Sequence, residues 1–136
     1  MRRTGYTNVY QRQAALAART REALRAMGVP FLTEHLAPRF RSPTVTTVRC
    51  PDGVASGDVL RCAREQFGVM FQRGLGPLVE TTVRIGHLGA VGAGDVARGL
   101  EALEGALALL GAPCAPGAWR PVMEKEGDDA DVRAAR

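Results

Sequence analysis

The sequence predicts an α+β domain: a small, mostly antiparallel three-stranded sheet with helices packed on one face. Three observations support this. Helix-period and strand-like segments follow one another in the order α-β-α-β-β-α within 136 residues. The last two strand-like runs are joined by a Gly/Pro-rich link, which favours an antiparallel pair over a parallel crossover. The length fits one domain with a single core. One sheet of three strands buries one face on its helices and leaves the other for a second domain, a subunit or a ligand.

The first element is a helix over about 10–27. Leu16, Thr20, Ala23, Leu24 and Met27 share one face, the run is rich in Ala and Arg, and Gly28 then Pro30 stop it. Three prolines between Pro30 and Pro43 mark an extended connection. An α+β core over 44–111 follows. Thr44 to Arg49 is a strand by its β-branched density, closed by Pro51-Asp52-Gly53. Ser56 or Asp58 is the expected cap of a second helix, with Val59, Leu60, Ala63 and Phe67 inward and Gly68 after its end. Val69–Arg73 reads as the second strand, Gly74-Leu75-Gly76-Pro77 as the break, and Thr82–Gly86 as the third strand. The last helix starts near Asp95, with Val96, Leu100, Leu103, Leu107 and Leu110 on one stripe. Residues 1–111 therefore form the domain. The acidic, Pro/Gly-interrupted segment 112–136 is expected to be a disordered tail.

Composition narrows the chemistry. Seventeen of the 18 basic residues are arginine, and the lone lysine, Lys125, lies in the tail. A reaction that needs a buried, tuned lysine amine has no evident candidate. Residues 1–41 carry eight Arg and two Glu, yet aromatic content is 5% and the arginines before Gly28 are scattered around a helix. That pattern suits a solvated face and not a nucleic-acid stripe, so no nucleic-acid partner is expected. Cys50, Cys62 and Cys114 form no CxxC or CxxH pair, which suggests neither zinc nor a disulfide framework and fits reduced, cytoplasmic thiols. No metal site and no membrane segment are expected.

The densest chemical signal is Val83-Arg84-Ile85-Gly86-His87-Leu88-Gly89. If Val83 and Ile85 face the helices, alternation turns Arg84 to the uncovered face, where its planar fork suits a carboxylate or phosphate. From spacing alone, a surface arginine or a structural ion pair with Glu80 or Asp95 is the commoner explanation of an arginine there. Gly86, Gly89, Gly92 and Gly94 precede a helix, but no phosphate-loop pattern is present and Asp95 would put negative charge at the anion position. His87, between glycines at a strand end, reads as a packed residue. His35 has no metal-ligand spacing.

Several motifs, in order, carry a family resemblance. They are Arg41-Ser42-Pro43-Thr44-Val45-Thr46, Pro51-Asp52-Gly53, Gly68-Val69, Gly74-Leu75-Gly76, the Arg-Ile-Gly-His-Leu-Gly run from Arg84 to Gly89, and Leu100-Glu101-Ala102-Leu103-Glu104. Together, over about residues 10–112, they resemble the C-terminal small domain of class V pyridoxal-phosphate-dependent aminotransferases, the alanine–glyoxylate and serine–glyoxylate type. The resemblance implies a small domain of the PLP-transferase fold, closing over a large domain that binds pyridoxal phosphate. It implies that Arg84 binds the substrate carboxylate and that the complete enzyme is a homodimer. That enzyme would move an amino group from a small amino acid to a 2-oxo acid such as glyoxylate or pyruvate. The Schiff-base lysine, the acidic partner of the pyridine nitrogen and the phosphate-binding residues belong to the large domain. No catalytic or cofactor-binding residue is therefore assigned in this chain, and Lys125, outside every matched motif, does not inherit the lysine's role. The isolated chain is expected to be inactive. The alternative is a non-catalytic, stand-alone α+β module that binds a small carboxylate.

Overall fold

The computed structural model describes residues 3–87 and 91–124. Its first helix, α1, spans Arg3–Met27 and so begins earlier than its apolar periodicity shows. Leu16, Thr20, Ala23, Leu24 and Met27 are all buried, as the helical spacing requires. Residues 30–32 then run beside the first strand: Leu32 N–H donates to the Thr47 carbonyl and Arg49 N–H to the Pro30 carbonyl.

The sheet comprises β1 (Val45–Arg49), β2 (Gln72–Arg73) and β3 (Thr82–Gly86), in the order β1-β3-β2. Both pairings are antiparallel, with Val48 opposite Val83, Thr47 opposite Arg84, and Gln72 opposite Arg84 from the other side. The second strand is shorter than expected: Val69 N–H closes the preceding helix onto the Ala63 carbonyl, and ladder pairing begins only at Gln72.

Helix α2 (Ser56–Phe67) ends at Gly68, whose φ of 68° only glycine adopts without strain. Neither expected side-chain cap forms. Ala55 stands at the N-cap, and the Ser56 hydroxyl donates instead to the Val79 carbonyl at 2.5 Å, tying α2 to the loop before β3. Helix α3 (Ala93–Leu109) buries Val96, Leu100, Leu103 and Leu107. The core joins these residues to Val48, Val83 and Ile85 of the sheet and to Leu24 and Met27 of α1. The sheet thus has one face on the helices.

Residues 112–124 are not the disordered tail expected from their composition. Trp119–Met123 forms a short helix, α4, in contact with α1 and α3. Trp119, Val122 and Met123 are buried, which ties down a segment whose polar flanks alone read as tail. Pro121 is tolerated because it falls in the first turn, where backbone N–H groups have no helical partner. The Trp119 indole N–H donates to Glu104 at 2.5 Å, and Ala115 N–H donates to the Met27 carbonyl at 3.0 Å. The acidic stretch with Lys125, at 125–136, lies outside the described residues.

Candidate functional site

β3 places Arg84 between two buried apolar neighbours. Val83 and Ile85 point into the core, so Arg84 emerges on the opposite face of the central strand. Cross-strand partners share a face, which sets Thr47, Arg84 and Gln72 in one row across the three strands. The Arg84 Nε–H donates to the Arg73 carbonyl at 2.7 Å. Neither Glu80 nor Asp95 pairs with it, and among the described residues its terminal nitrogens have no ionic partner. One side of the guanidinium is therefore fixed by backbone while the outer fork stays available, a geometry suited to bidentate recognition of an oxyanion.

Beside it opens a cavity of about 280 Å³, lined by Arg84, Gln72, Gly86 and Asp95 and by the apolar Met70, Phe71 and Val91. Met70 is 81% exposed, so this corner of the sheet offers unburied apolar surface next to a cation. Single-strand alternation finds Arg84. It misses Thr47 and Gln72, because their neighbourhood depends on register between strands.

Among its described residues, the glycine-rich stretch before α3 offers no open anion site. The Asp95 carboxylate accepts the Gly92 N–H at 2.9 Å and so fills the helix N-terminus with negative charge. Leu88 and Gly89 of that stretch lie outside the described residues.

His87 is fully buried. Its Nε2 lies 2.9 Å from the Thr46 hydroxyl, and its backbone N–H donates to the Thr44 carbonyl at 2.8 Å. Burial first, and the Arg21 guanidinium second, push its pKa down to about 4. A neutral imidazole held in the core between β1 and β3 braces the sheet end and has no access to a substrate. A Cys50–His87 pair is excluded by register: Cys50 follows β1 at one end of the ladder, and His87 follows β3 at the other. That separates them by on the order of 15 Å. Burial also raises the Cys50 thiol above its ordinary pKa, which disfavours the thiolate.

The arginines of α1 are not all solvated. Arg19 and Arg21 are both 6% exposed. Arg19 donates to the Met123 carbonyl, and Arg21 to the carbonyls of Ser42 and Val45. Long guanidinium side chains reach across the helix surface and satisfy carbonyls there, which a helical wheel does not reveal.

The chain's lone lysine lies outside the described segment, and no described residue offers an amine for a Schiff base. Among the described residues no group of three His, Cys, Asp or Glu side chains could hold a metal ion, and no helix is long and apolar enough to cross a membrane.

No family model matches the chain. Curated relatives do. A protein named soluble hydrogenase, small subunit, from Synechococcus sp. is 34% identical over 111 residues, 82% of this chain and 28% of that protein. Pyridoxamine–pyruvate transaminase from Mesorhizobium japonicum is 36% identical over 109 residues, 80% of this chain and 26% of that protein. Serine–glyoxylate and alanine–glyoxylate aminotransferases match at similar identity. Among solved structures, pyridoxamine–pyruvate aminotransferase from Mesorhizobium loti superposes with a TM-score of 0.77 at 31% identity, over 91% of this chain and 30% of that one. The chain spans about a quarter of the length of the curated relatives it matches.

Proposed function

We propose that this chain, whose homologues are class V aminotransferases, is the C-terminal small-domain portion of such an enzyme and supplies its substrate-carboxylate site. The observation that carries this reading is Arg84: a guanidinium on the sheet face away from the core, held at Nε by the Arg73 carbonyl, with its outer fork directed to no internal acid. Such a fork binds and orients a carboxylate. The substrates proposed are a small amino acid and a 2-oxo acid such as glyoxylate or pyruvate, in a cytoplasmic, homodimeric enzyme.

We assign the amino-transfer chemistry to pyridoxal phosphate held by a large domain outside the described residues. The large domain would cover the sheet face that carries Thr47, Arg84 and Gln72, expelling water from around the guanidinium and strengthening its grip on the carboxylate. Thr47 and Gln72 then flank the bound oxyanion with neutral hydrogen-bonding groups.

The test is spectroscopic. Pyridoxal phosphate added to the full 136-residue chain should give no absorbance band that depends on a lysine. A band abolished by Lys125→Met would overturn the reading, since the chain would then carry its own cofactor site.

A further inference from the structure

We propose that a second cavity, between α1 and the 30–43 connection, is a binding site for a phosphorylated small molecule. The cavity holds about 600 Å³, within the range of small-ligand pockets. It shares no lining residue with the one beside Arg84, and the proposal does not depend on the aminotransferase reading. Four guanidinia line it, from Arg21, Arg25, Arg39 and Arg41, against one carboxylate, Glu22.

Two of these arginines are set in place by the backbone. Arg21 donates to the Ser42 and Val45 carbonyls, and Arg41 donates to the carbonyls of Thr33, Glu34 and Leu36. Fixing them in advance lowers the ordering cost of binding. Arg21 is 6% exposed, and its buried Nε–H has no hydrogen-bond partner. An anion seated in the cavity would offset the charge that this buried guanidinium carries.

The other two arginines are held more loosely. Arg39 stacks over the exposed Phe40 ring at 4.8 Å, and Arg25 sits 3.8 Å from Glu34 and over the Phe31 ring. With Glu22 in the lining and Glu34 beside Arg25, the four guanidinia leave the site a net charge of about +2. Like charges repel at this range; burial and the nearby Arg41 lower the Arg21 pKa in the expected direction. A carboxylate is satisfied by one fork. Arg25 and Arg39 offer their forks while Arg21 and Arg41, tied to backbone carbonyls, add charge behind them, a set that matches a phosphate with about two charges and three acceptor oxygens.

The test uses the full chain at fixed ionic strength, titrated with glycerol 3-phosphate and separately with succinate, and followed by two-dimensional NMR. Glycerol 3-phosphate should saturate, with shifts confined to residues 10–43 and the arginine Nε–H signals. Arg39→Gln and Arg25→Gln should each weaken binding about tenfold, the loss of one charge-assisted contact. Both side chains are exposed, and circular dichroism checks that each variant folds. Arg98→Gln, an exposed arginine on α3, removes the same charge elsewhere and should change nothing. Non-saturating shifts, succinate binding as tightly as the phosphate ester, or equal weakening by Arg98→Gln would each overturn the proposal.

Discussion

The Nε–H of Arg84 donates to the Arg73 carbonyl at 2.7 Å, so the edge strand β2 sets the direction of the guanidinium on the central strand β3. Arg73 acts through its backbone. Its own side chain lies on the other face, opposite Val83 and over α2 near Gly57.

This relationship predicts a difference between charge and geometry at position 84. With the large domain and pyridoxal phosphate supplied, Arg84→Gln should lower kcat/KM for the 2-oxo acid by about a hundredfold, the loss of a bidentate ionic contact. Arg84→Lys keeps the charge and loses the fork, so it should recover only a small part of the activity. Equal activity of the Lys variant and the parent in steady-state kinetics would refute the bidentate assignment.

Gly74 supplies a second route to the same bond. A β-carbon there would lie 1.9 Å from the Thr82 hydroxyl and 2.5 Å from the Leu78 carbonyl oxygen, both against the β2–β3 turn. Gly74→Ala should destabilise the fold by about 1–3 kcal/mol through overpacking. It should also displace Arg73 and weaken carboxylate binding at Arg84. Urea unfolding reads the first effect, and calorimetric titration with pyruvate reads the second.

The buried His87 makes stability depend on pH. Its folded pKa is about 4 against an ordinary value of 6.5, so the unfolded chain binds more protons between those limits. The neutral-histidine contribution is complete above pH 6.5 and is lost as pH falls from 6.5 towards 4. The full shift corresponds to about 3 kcal/mol. His87→Gln should flatten the stability profile across that window. A profile as steep as the parent's would show that another group is responsible.

The segment after residue 111 should be structural. Trp119→Ala removes a buried indole and its bond to Glu104 and should cost about 3–5 kcal/mol. Hydrogen exchange in α1 near Met27, whose carbonyl accepts Ala115 N–H, should quicken in the variant. Unchanged exchange there would place α4 outside the cooperative unit.

These elements differ in how plainly the sequence shows them. The apolar spacing of α1, α2 and α3 is long enough to mark a face, and β1 and β3 declare themselves by branched residues and alternation. The α+β class with an antiparallel sheet follows from those five. Helix α4 does not declare itself: five residues hold too few apolar positions to show a period, and Pro121 and the acidic flank argue against a helix. β2 reduces to two residues: a helix cap claims Val69, and pairing with β3 begins only at Gln72. At the site, alternation finds Arg84, whereas its partners, the Arg73 carbonyl, Thr47 and Gln72, come from strand register. Arg21 is hidden for a different reason, since its burial depends on a loop more than twenty residues away folding back over α1.

The central claim is that this chain contributes the carboxylate-binding arginine to an active site whose lysine and cofactor lie elsewhere. One assay addresses it directly: amino transfer from alanine to glyoxylate with pyridoxal phosphate, measured for the chain alone, for the chain with a separately produced large domain, and for that mixture carrying Arg84→Gln. Activity only in the mixture, largely lost in the Arg84 variant, is the predicted result. Transamination by the chain alone, or a mixture indifferent to Arg84, would contradict the account.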